Sequence, residues 1–290
     1  MKLPKLCLVL LAALLFSCEF STYKAGYLQD YTVDRKGISC DGIAMSNYMG
    51  IVDRTEFYYG EKITFAYENM TGFHLQEGLA YPDMDIHFIS KQGDTLMSNL
   101  NQMAQATKGY TEADLNLRTE LVFATPMLPN NEYIAIVHVH DKHSDAYYKW
   151  SKNFTIIHSP LIQTTTKGMR YDIQYLYSQL RNTAVIDNKI QLNETLYLLI
   201  ENLDGFNTDE DGNADLQASI RLTANDGTMI DENDNLFPNL VNANDLKEQL
   251  YAAVKITNPN VENPVTCVVK ITDNRNGNSL ETAFDLTVMQ

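Results

Sequence analysis

Gly60-Glu61-Lys62-Ile63-Thr64-Phe65-Ala66-Tyr67-Glu68-Asn69-Met70-Thr71-Gly72-Phe73 aligns without a gap on Asn193-Glu194-Thr195-Leu196-Tyr197-Leu198-Leu199-Ile200-Glu201-Asn202-Leu203-Asp204-Gly205-Phe206. Both stretches carry a Glu in second place, an apolar run ending in Glu-Asn, and a closing Gly-Phe. The match continues outward. Gly93 and Gly227 follow strand-like runs at nearly the same offset, Tyr133 to Asp141 matches Val265 to Asp273, and Asn153-Phe154-Thr155-Ile156 matches Ala283-Phe284-Asp285-Leu286. Self-similarity on this scale predicts two copies of one domain in tandem.

Within each copy the apolar period is two, the signature of a strand with one buried face. Ile63, Phe65 and Tyr67 alternate with Thr64, Ala66 and Glu68, and Leu196, Leu198 and Ile200 hold the matching places. Tyr133, Ala135, Val137 and Val139 point one way in a later strand, matched by Val265, Cys267, Val269 and Ile271. Cys267 thus stands where the first copy has an inward Ala and reads as a small buried hydrophobe. Several such strands separated by Gly, Asn, Asp and Pro predict an all-β chain of two antiparallel β-sandwiches of about 120 residues each. A domain of that size buries roughly two-thirds of its unfolded surface, enough for a core without staples. Helix is expected only in short pieces between strands, Asn99 to Thr107 and Asn242 to Tyr251.

Met127-x-Pro129-x-x-x-Tyr133 resembles the tyrosine corner of fibronectin type III and immunoglobulin-like domains, and this resemblance implies a Tyr133 hydroxyl bonded back to the preceding crossover. The second copy has Val265 there. The expected first sandwich spans residues 38–158 and the second 169–290. Residues 159–168, with Pro160, three threonines and Gly168, read as an extended linker.

Ahead of the first sandwich, Lys2 and Lys5 precede an apolar run from Leu6 to Phe16, followed by Ser17 and Cys18. The run is about half the length of a membrane-spanning helix. Leu15-Phe16-Ser17-Cys18 resembles the lipobox of bacterial lipoproteins, whose leader is removed just before a cysteine that receives diacylglycerol. That resemblance implies a signal peptide over 1–17, lipidation of Cys18, and membrane attachment stable once two or three acyl chains are present. Residues 18–37 then read as a lipidated tether, able to hold the first sandwich at most ~60 Å from the bilayer. Glu19 is a lone acidic residue after the cysteine, which favours an outer-membrane lipoprotein facing the periplasm over display on the cell surface.

The chain of 290 residues has a formal net charge of −15, and loss of Lys2 and Lys5 with the leader makes it −17. So acidic a surface repels nucleic acid and anionic headgroups, which sets polyanion binding aside. Of four cysteines, Cys40 and Cys267 remain beyond Cys7 and Cys18, in different copies, a poor disulfide framework.

Two stretches carry candidate chemistry. His138-Val139-His140-Asp141-Lys142-His143 approaches the His-x-His-x-Asp-His run of metallo-β-lactamase-type hydrolases, with the aspartate one position early. On a strand His138 and His140 share a face and could share zinc, given a third ligand from His143, Asp141 or a distant residue. The second copy has Lys270 and Thr272 there, so the scaffold itself does not require histidines, and a solvent-facing pair is the plainer reading. Asn207-Thr208-Asp209-Glu210-Asp211-Gly212-Asn213-Ala214-Asp215 resembles the calcium loops of EF-hand and thrombospondin-like repeats. The resemblance implies calcium ligands at Asn207, Asp209, Asp211, Asn213 and Asp215, though Ala218 stands where an EF-hand has its bidentate Glu. Turn-forming Asp, Asn and Gly give the same letters without a metal.

Asp231-Glu232-Asn233-Asp234-Asn235 reads as a solvated acidic loop, and Asp94-Thr95-Leu96 resembles a three-residue O-glycosylation signal of exported bacterial proteins. Serine nucleophile elbows, phosphate-cradling glycine loops and Cys-x-x-Cys pairs are absent from the sequence. A carboxylate pair distant in the chain is not legible in this way. The expectation is therefore a non-catalytic lipoprotein, a structural or protein-interaction component of a bacterial envelope complex such as a secretion or surface machine. The alternative is a glycan-binding accessory lipoprotein using Tyr147, Tyr148 and Trp150, residues that equally suit ordinary strand packing.

Overall fold

The structure, a computed structural model, describes residues 26–237 and 240–289. The expected signal peptide and Cys18 lie outside the described residues. No described helix is long and apolar enough to cross a membrane.

The first copy comprises β1 (Thr32–Lys36), β2 (Gly42–Asn47), β3 (Gly50–Ile51), β4 (Glu56–Tyr58), β5 (Lys62–Glu68), β6 (Pro82–Ser90), β7 (Thr95–Asn99), β8 (Arg118–Val122), β9 (Asn131–Asp141) and β10 (Tyr147–Ile157). The second comprises β11 (Gln163–Lys167), β12 (Ile173–Ser178), β13 (Thr183–Ala184), β14 (Lys189–Gln191), β15 (Thr195–Glu201), β16 (Asn213–Ala214), β17 (Leu216–Thr223), β18 (Met229–Asn233), β19 (Val241–Asn242), helix α1 (Ala243–Glu248), β20 (Leu250–Lys255), β21 (Val265–Asp273) and β22 (Ser279–Met289). The first copy forms sheets β3-β2-β5-β8 and β1-β10-β9-β6-β7, and the second forms β13-β12-β15-β20 and β11-β22-β21-β17-β18. Strand for strand these orders are the same. In each, one short strand adds in parallel to the last long one, β4 to β10 and β14 to β22. The chain is thus two all-β sandwiches of immunoglobulin-like type, and among the described residues the second adds the β16–β19 ribbon and α1.

Alternation places the core where the period-two pattern requires it. Ile63, Phe65 and Tyr67 are buried in β5, as are Leu196, Leu198 and Ile200 in β15. Each such side chain contributes roughly 1.5–3 kcal/mol relative to exposure. Cys267 is fully buried, and burial pushes its thiol well above the ordinary range, as suits a core atom rather than a nucleophile. The Trp150 indole donates across the sandwich to the Tyr67 hydroxyl at 3.0 Å, and that hydroxyl lies 2.9 Å from Thr119 Oγ1, so the polar atoms at the core centre are satisfied. Tyr133 forms the expected corner, its hydroxyl donating to the Leu128 carbonyl at 2.8 Å and accepting from the Leu128 N–H at 2.6 Å.

The repeated letters have common physical causes. Glu61 and Glu194 are both buried. Each accepts the backbone N–H three residues upstream, from Tyr58 at 3.1 Å and Gln191 at 2.7 Å, and each pairs with an arginine, Arg54 or Arg181. A buried carboxylate thus closes the turn into β5 and β15. Asn69 and Asn202 take left-handed backbone (φ 48° and 57°), which Asn tolerates better than most residues. Gly72 and Gly205 (φ 92° and 89°) pass so close to Gly37 and Gly168 that a Cβ would lie 2.2 Å from a carbonyl oxygen. Asp141 and Asp273, also buried, pin the residue after Gly-Phe: Asp141 accepts from the N–H groups of His74 and His143, Asp273 from those of Asn207 and Arg275.

Three expectations are corrected. Thr32–Lys36, placed in the tether, is a strand paired antiparallel with β10, and Gln163–Lys167, placed in the linker, pairs equivalently with β22. Both are exposed edge additions without a buried face, so they lack the apolar alternation that marks the other strands. Residues 100–107 form turns instead of a helix. Asp85 Oδ1 takes the Asn101 N–H at 2.8 Å, Asp83 Oδ1 takes the Met103 N–H at 2.9 Å, and Lys142 Nζ binds the Met103 carbonyl at 2.7 Å. These side chains capture groups that a helix would pair internally. Helix α1 forms within the expected Asn242 to Tyr251 stretch, capped by the Asn242 side chain, but ends at Glu248, and Leu250 and Tyr251 open β20 instead.

The sandwiches meet along a dense joint. The Gly60 carbonyl accepts from Ala184 N at 2.9 Å, and Lys62 N donates to Thr183 Oγ1 at 2.9 Å. Tyr48 donates to Asp187 Oδ1 at 2.8 Å and accepts from Ile186 N at 3.0 Å, with the Arg181 guanidinium 4.9 Å above its ring. Tyr59 donates to Glu201 Oε2 at 3.0 Å and meets Tyr175 edge-on. Burial, and after it the Glu201 carboxylate, push the Tyr59 phenol up to about 12, so it remains a donor.

Candidate functional site

Long strands β6 and β9 lie antiparallel with Asp85 directly opposite His138 and Asp83 opposite His140. Because side chains alternate across a strand, Asp85, His138 and His140 share the outer face while Met84, Ile86, Val137 and Val139 fill the core. The two imidazole centroids are 5.1 Å apart. Asp85 Oδ2 lies 3.5 Å from His138 Nδ1 and 3.6 Å from His140 Nε2. Among the described residues this is the only group of three or more His, Cys, Asp or Glu whose ligand atoms all fall within 4.8 Å of one another.

The site is shallow but built. Side-chain exposure is 32% for His138, 26% for His140 and 18% for Asp85. Tyr147, opposite His140 on β10, closes one side with its ring 5.4 Å edge-on from His138, and its hydroxyl is tied to Asp34 at 3.0 Å. Leu100, Asn101 and Ser144 complete the hollow. Burial, then the neighbouring His140, hold His138 below the ordinary imidazole range against the pull of Asp85, which favours the neutral ring that metals bind.

The local ligands considered from the sequence do not join. Asp141 is buried with both carboxylate oxygens taken by the N–H groups of His74 and His143. The His143 ring packs edge-on against Tyr81, 4.8 Å between centroids. The third member is Asp85, distant in sequence and brought in by sheet register. Its signal was an acidic residue on the polar phase of the β6 alternation, which becomes legible only once β6 and β9 are paired.

In the acidic loop, Asp209 Oδ1 accepts the N–H groups of Asp211 at 3.1 Å and Asn213 at 2.8 Å, and Oδ2 faces the Arg275 guanidinium at 3.4 Å. Asp215 Oδ1 accepts from Asn274 at 2.7 Å, Asn213 opens β16, and the Asn207 backbone is held by Asp273. Turn closure and a guanidinium already use the Asp209 oxygens. The loop Asp231–Asn235 begins on edge strand β18, where Glu232 pairs with Arg221. Of the aromatic trio, Tyr148 and Trp150 are core residues and Tyr147 alone faces outward, half-buried. Cys40 is half-buried and unbridged, its thiol donating to the Gly42 carbonyl at 3.1 Å.

No family model matches the chain, and no curated protein does. Among solved structures it is similar to the C-terminal domain of wzt, at 10% identity and a TM-score of 0.36, covering 47% of this chain and 83% of that one. It is also similar to the FN1-FN3 domains of chicken CNTN1, at 8% identity and a TM-score of 0.24, covering 82% of this chain and 66% of that one.

Proposed function

We propose that this chain is a non-catalytic bacterial lipoprotein, held at the outer membrane through lipid on Cys18 and serving as a rigid two-domain interaction component of an envelope complex. The joint carries this reading. Five backbone and side-chain hydrogen bonds described above, a guanidinium stacked on Tyr48 and an aromatic pair cross between the sandwiches. At about 1 kcal/mol per hydrogen bond, such a contact resists the independent swivelling expected of domains joined by a free linker. A rigid pair presents surfaces at fixed spacing, as a scaffold requires.

Two further observations support it. β8 and β20 end their sheets, and β20 exposes Tyr251, so each copy has an edge able to accept an added strand. The eight residue-to-residue steps from Cys18 to Gly26 span at most ~28 Å, which would keep the body close to the bilayer. Cross-linking in cells followed by mass spectrometry tests the proposal. The expected result is reproducible links to one envelope partner, lost when Cys18→Ala releases the chain from the membrane fraction. Recovery of abundant bystanders alone, or unchanged membrane association of Cys18→Ala, would count against it.

A further inference from the structure

We infer that Asp85, His138 and His140 form a binding site for one divalent transition-metal ion of the zinc class, with a fourth coordination position open to solvent. The distances carry the argument. Asp85 Oδ2 stands 3.5 and 3.6 Å from its two imidazole nitrogens. A charge-assisted hydrogen bond would draw them to about 2.7–2.9 Å. Ligand atoms bound tetrahedrally at about 2.0–2.2 Å from zinc are instead separated by about 3.3–3.6 Å. Asp85 Oδ2 is therefore too far from either imidazole nitrogen for a strong hydrogen bond and stands from each at the spacing that a shared tetrahedral ion requires.

The supporting shell agrees. The other oxygen of Asp85 is held by the Asn101 N–H at 2.8 Å, which fixes the carboxylate with Oδ2 toward the imidazoles, the usual arrangement behind a ligating carboxylate. All three ligands stand on two interior strands of the sheet, each paired on both sides. Two imidazoles and one carboxylate select zinc and its neighbours over calcium or magnesium, which prefer all-oxygen sets. Among the described residues only three protein ligands converge, which leaves a fourth position for the hollow lined by Leu100, Ser144 and Tyr147.

The second sandwich supplies an internal comparison. Its register places Ser219 opposite Lys270 with Thr272 two residues along, at the positions of Asp85, His138 and His140. The fold is kept there and the ligands are absent, so the cluster is a property of the first copy and not a requirement of the sandwich.

The test is zinc titration of the purified full-length chain after chelator treatment, with competition against a chromophoric chelator and cobalt substitution as a geometric readout. One equivalent of zinc should bind, with a cobalt spectrum of tetrahedral intensity. Asp85→Ala, His138→Ala and His140→Ala should each weaken binding by more than the ~10–100-fold that loss of an outer partner produces. Ser219→Asp/Lys270→His/Thr272→His, which rebuilds the triad on the second copy, should raise the stoichiometry to two. Thermal melts establish that each variant is folded. Absence of stoichiometric zinc binding by the parent chain, or full retention in folded His138→Ala/His140→Ala, overturns the site. An octahedral cobalt spectrum overturns its geometry.

Discussion

Replacing Arg181 by Ala should destabilise the second sandwich by about 3 kcal/mol, because it strands a buried charge. The Glu194 side chain is fully buried and that of Arg181 is 15% exposed, with Nη2 to Oε2 at 2.9 Å. Removing one partner of a buried pair costs about 3–5 kcal/mol; the Ser178 hydroxyl and Gln191 N–H still solvate Glu194, so the lower end applies. Loss of the guanidinium over Tyr48 adds roughly 0.5–1 kcal/mol at the joint. Burial alone would raise the Glu194 pKa, yet Ser178, Gln191 and Arg181 together hold it below the ordinary range. A depressed folded-state pKa contributes stability that is full above the unfolded value and is lost as pH falls through the folded one. Without Arg181 the folded-state value rises toward the unfolded one, so the acid-dependent loss becomes smaller and is complete at a higher pH. Urea unfolding at pH 7.5 and at about pH 3.5, below the unfolded Glu value of about 4.3, measures both effects. Arg181→Ala/Glu194→Gln, which removes the charge and keeps an acceptor, should recover more than half of the loss, and Arg221→Ala, from an exposed pair, should cost under ~1 kcal/mol. A loss below ~1 kcal/mol for Arg181→Ala, or no recovery in the double variant, would refute the buried-charge reasoning.

Gly72→Ala and Gly205→Ala should each cost about 2–3 kcal/mol, since each places a Cβ against a carbonyl in strained backbone, whereas Gly93→Ala, with open space around it, should cost about 1 kcal/mol. Paired urea melts separate the two classes. Asp141→Ala should cost about 2–3 kcal/mol by leaving the His74 and His143 N–H groups unpaired, and Asp273→Ala should match it, because the same clamp recurs in the second copy. After the chain has been stripped with chelator and dialysed, melting with and without added calcium should give the same midpoint, since turn N–H groups and Arg275 engage Asp209; a rise in calcium lost in Asp209→Ala would assign the loop a metal role.

What the sequence discloses and what it withholds divide along the range of the interactions. The duplicated stretches were legible because Glu61 and Glu194 close turns three residues long, and Asn69 and Asn202 solve a local backbone problem. The tyrosine corner was legible because Tyr133 reaches only to Leu128. The metal triad was not, since Asp85 meets His138 only through the register of β6 on β9, and a one-residue slip would turn it to the other face. The edge strands β1 and β11 carry no buried face and therefore no period. For Trp150 and Tyr148 the signal was present. Their even spacing, out of phase with Tyr147, places both inward, and an exposed patch of three neighbours on one strand is not geometrically available.

Two copies of one sandwich joined as a single rigid body should hold one fixed spacing between them. Pulsed electron-electron distance measurement between spin labels at Lys91→Cys and Asp226→Cys, on exposed hairpins of the two copies in a chain beginning after Cys18 and carrying Cys40→Ser, tests it most directly. One narrow distance distribution, broadened when Tyr48→Ala and Tyr59→Ala open the joint, is predicted. A broad distribution in the chain with the joint intact would contradict it.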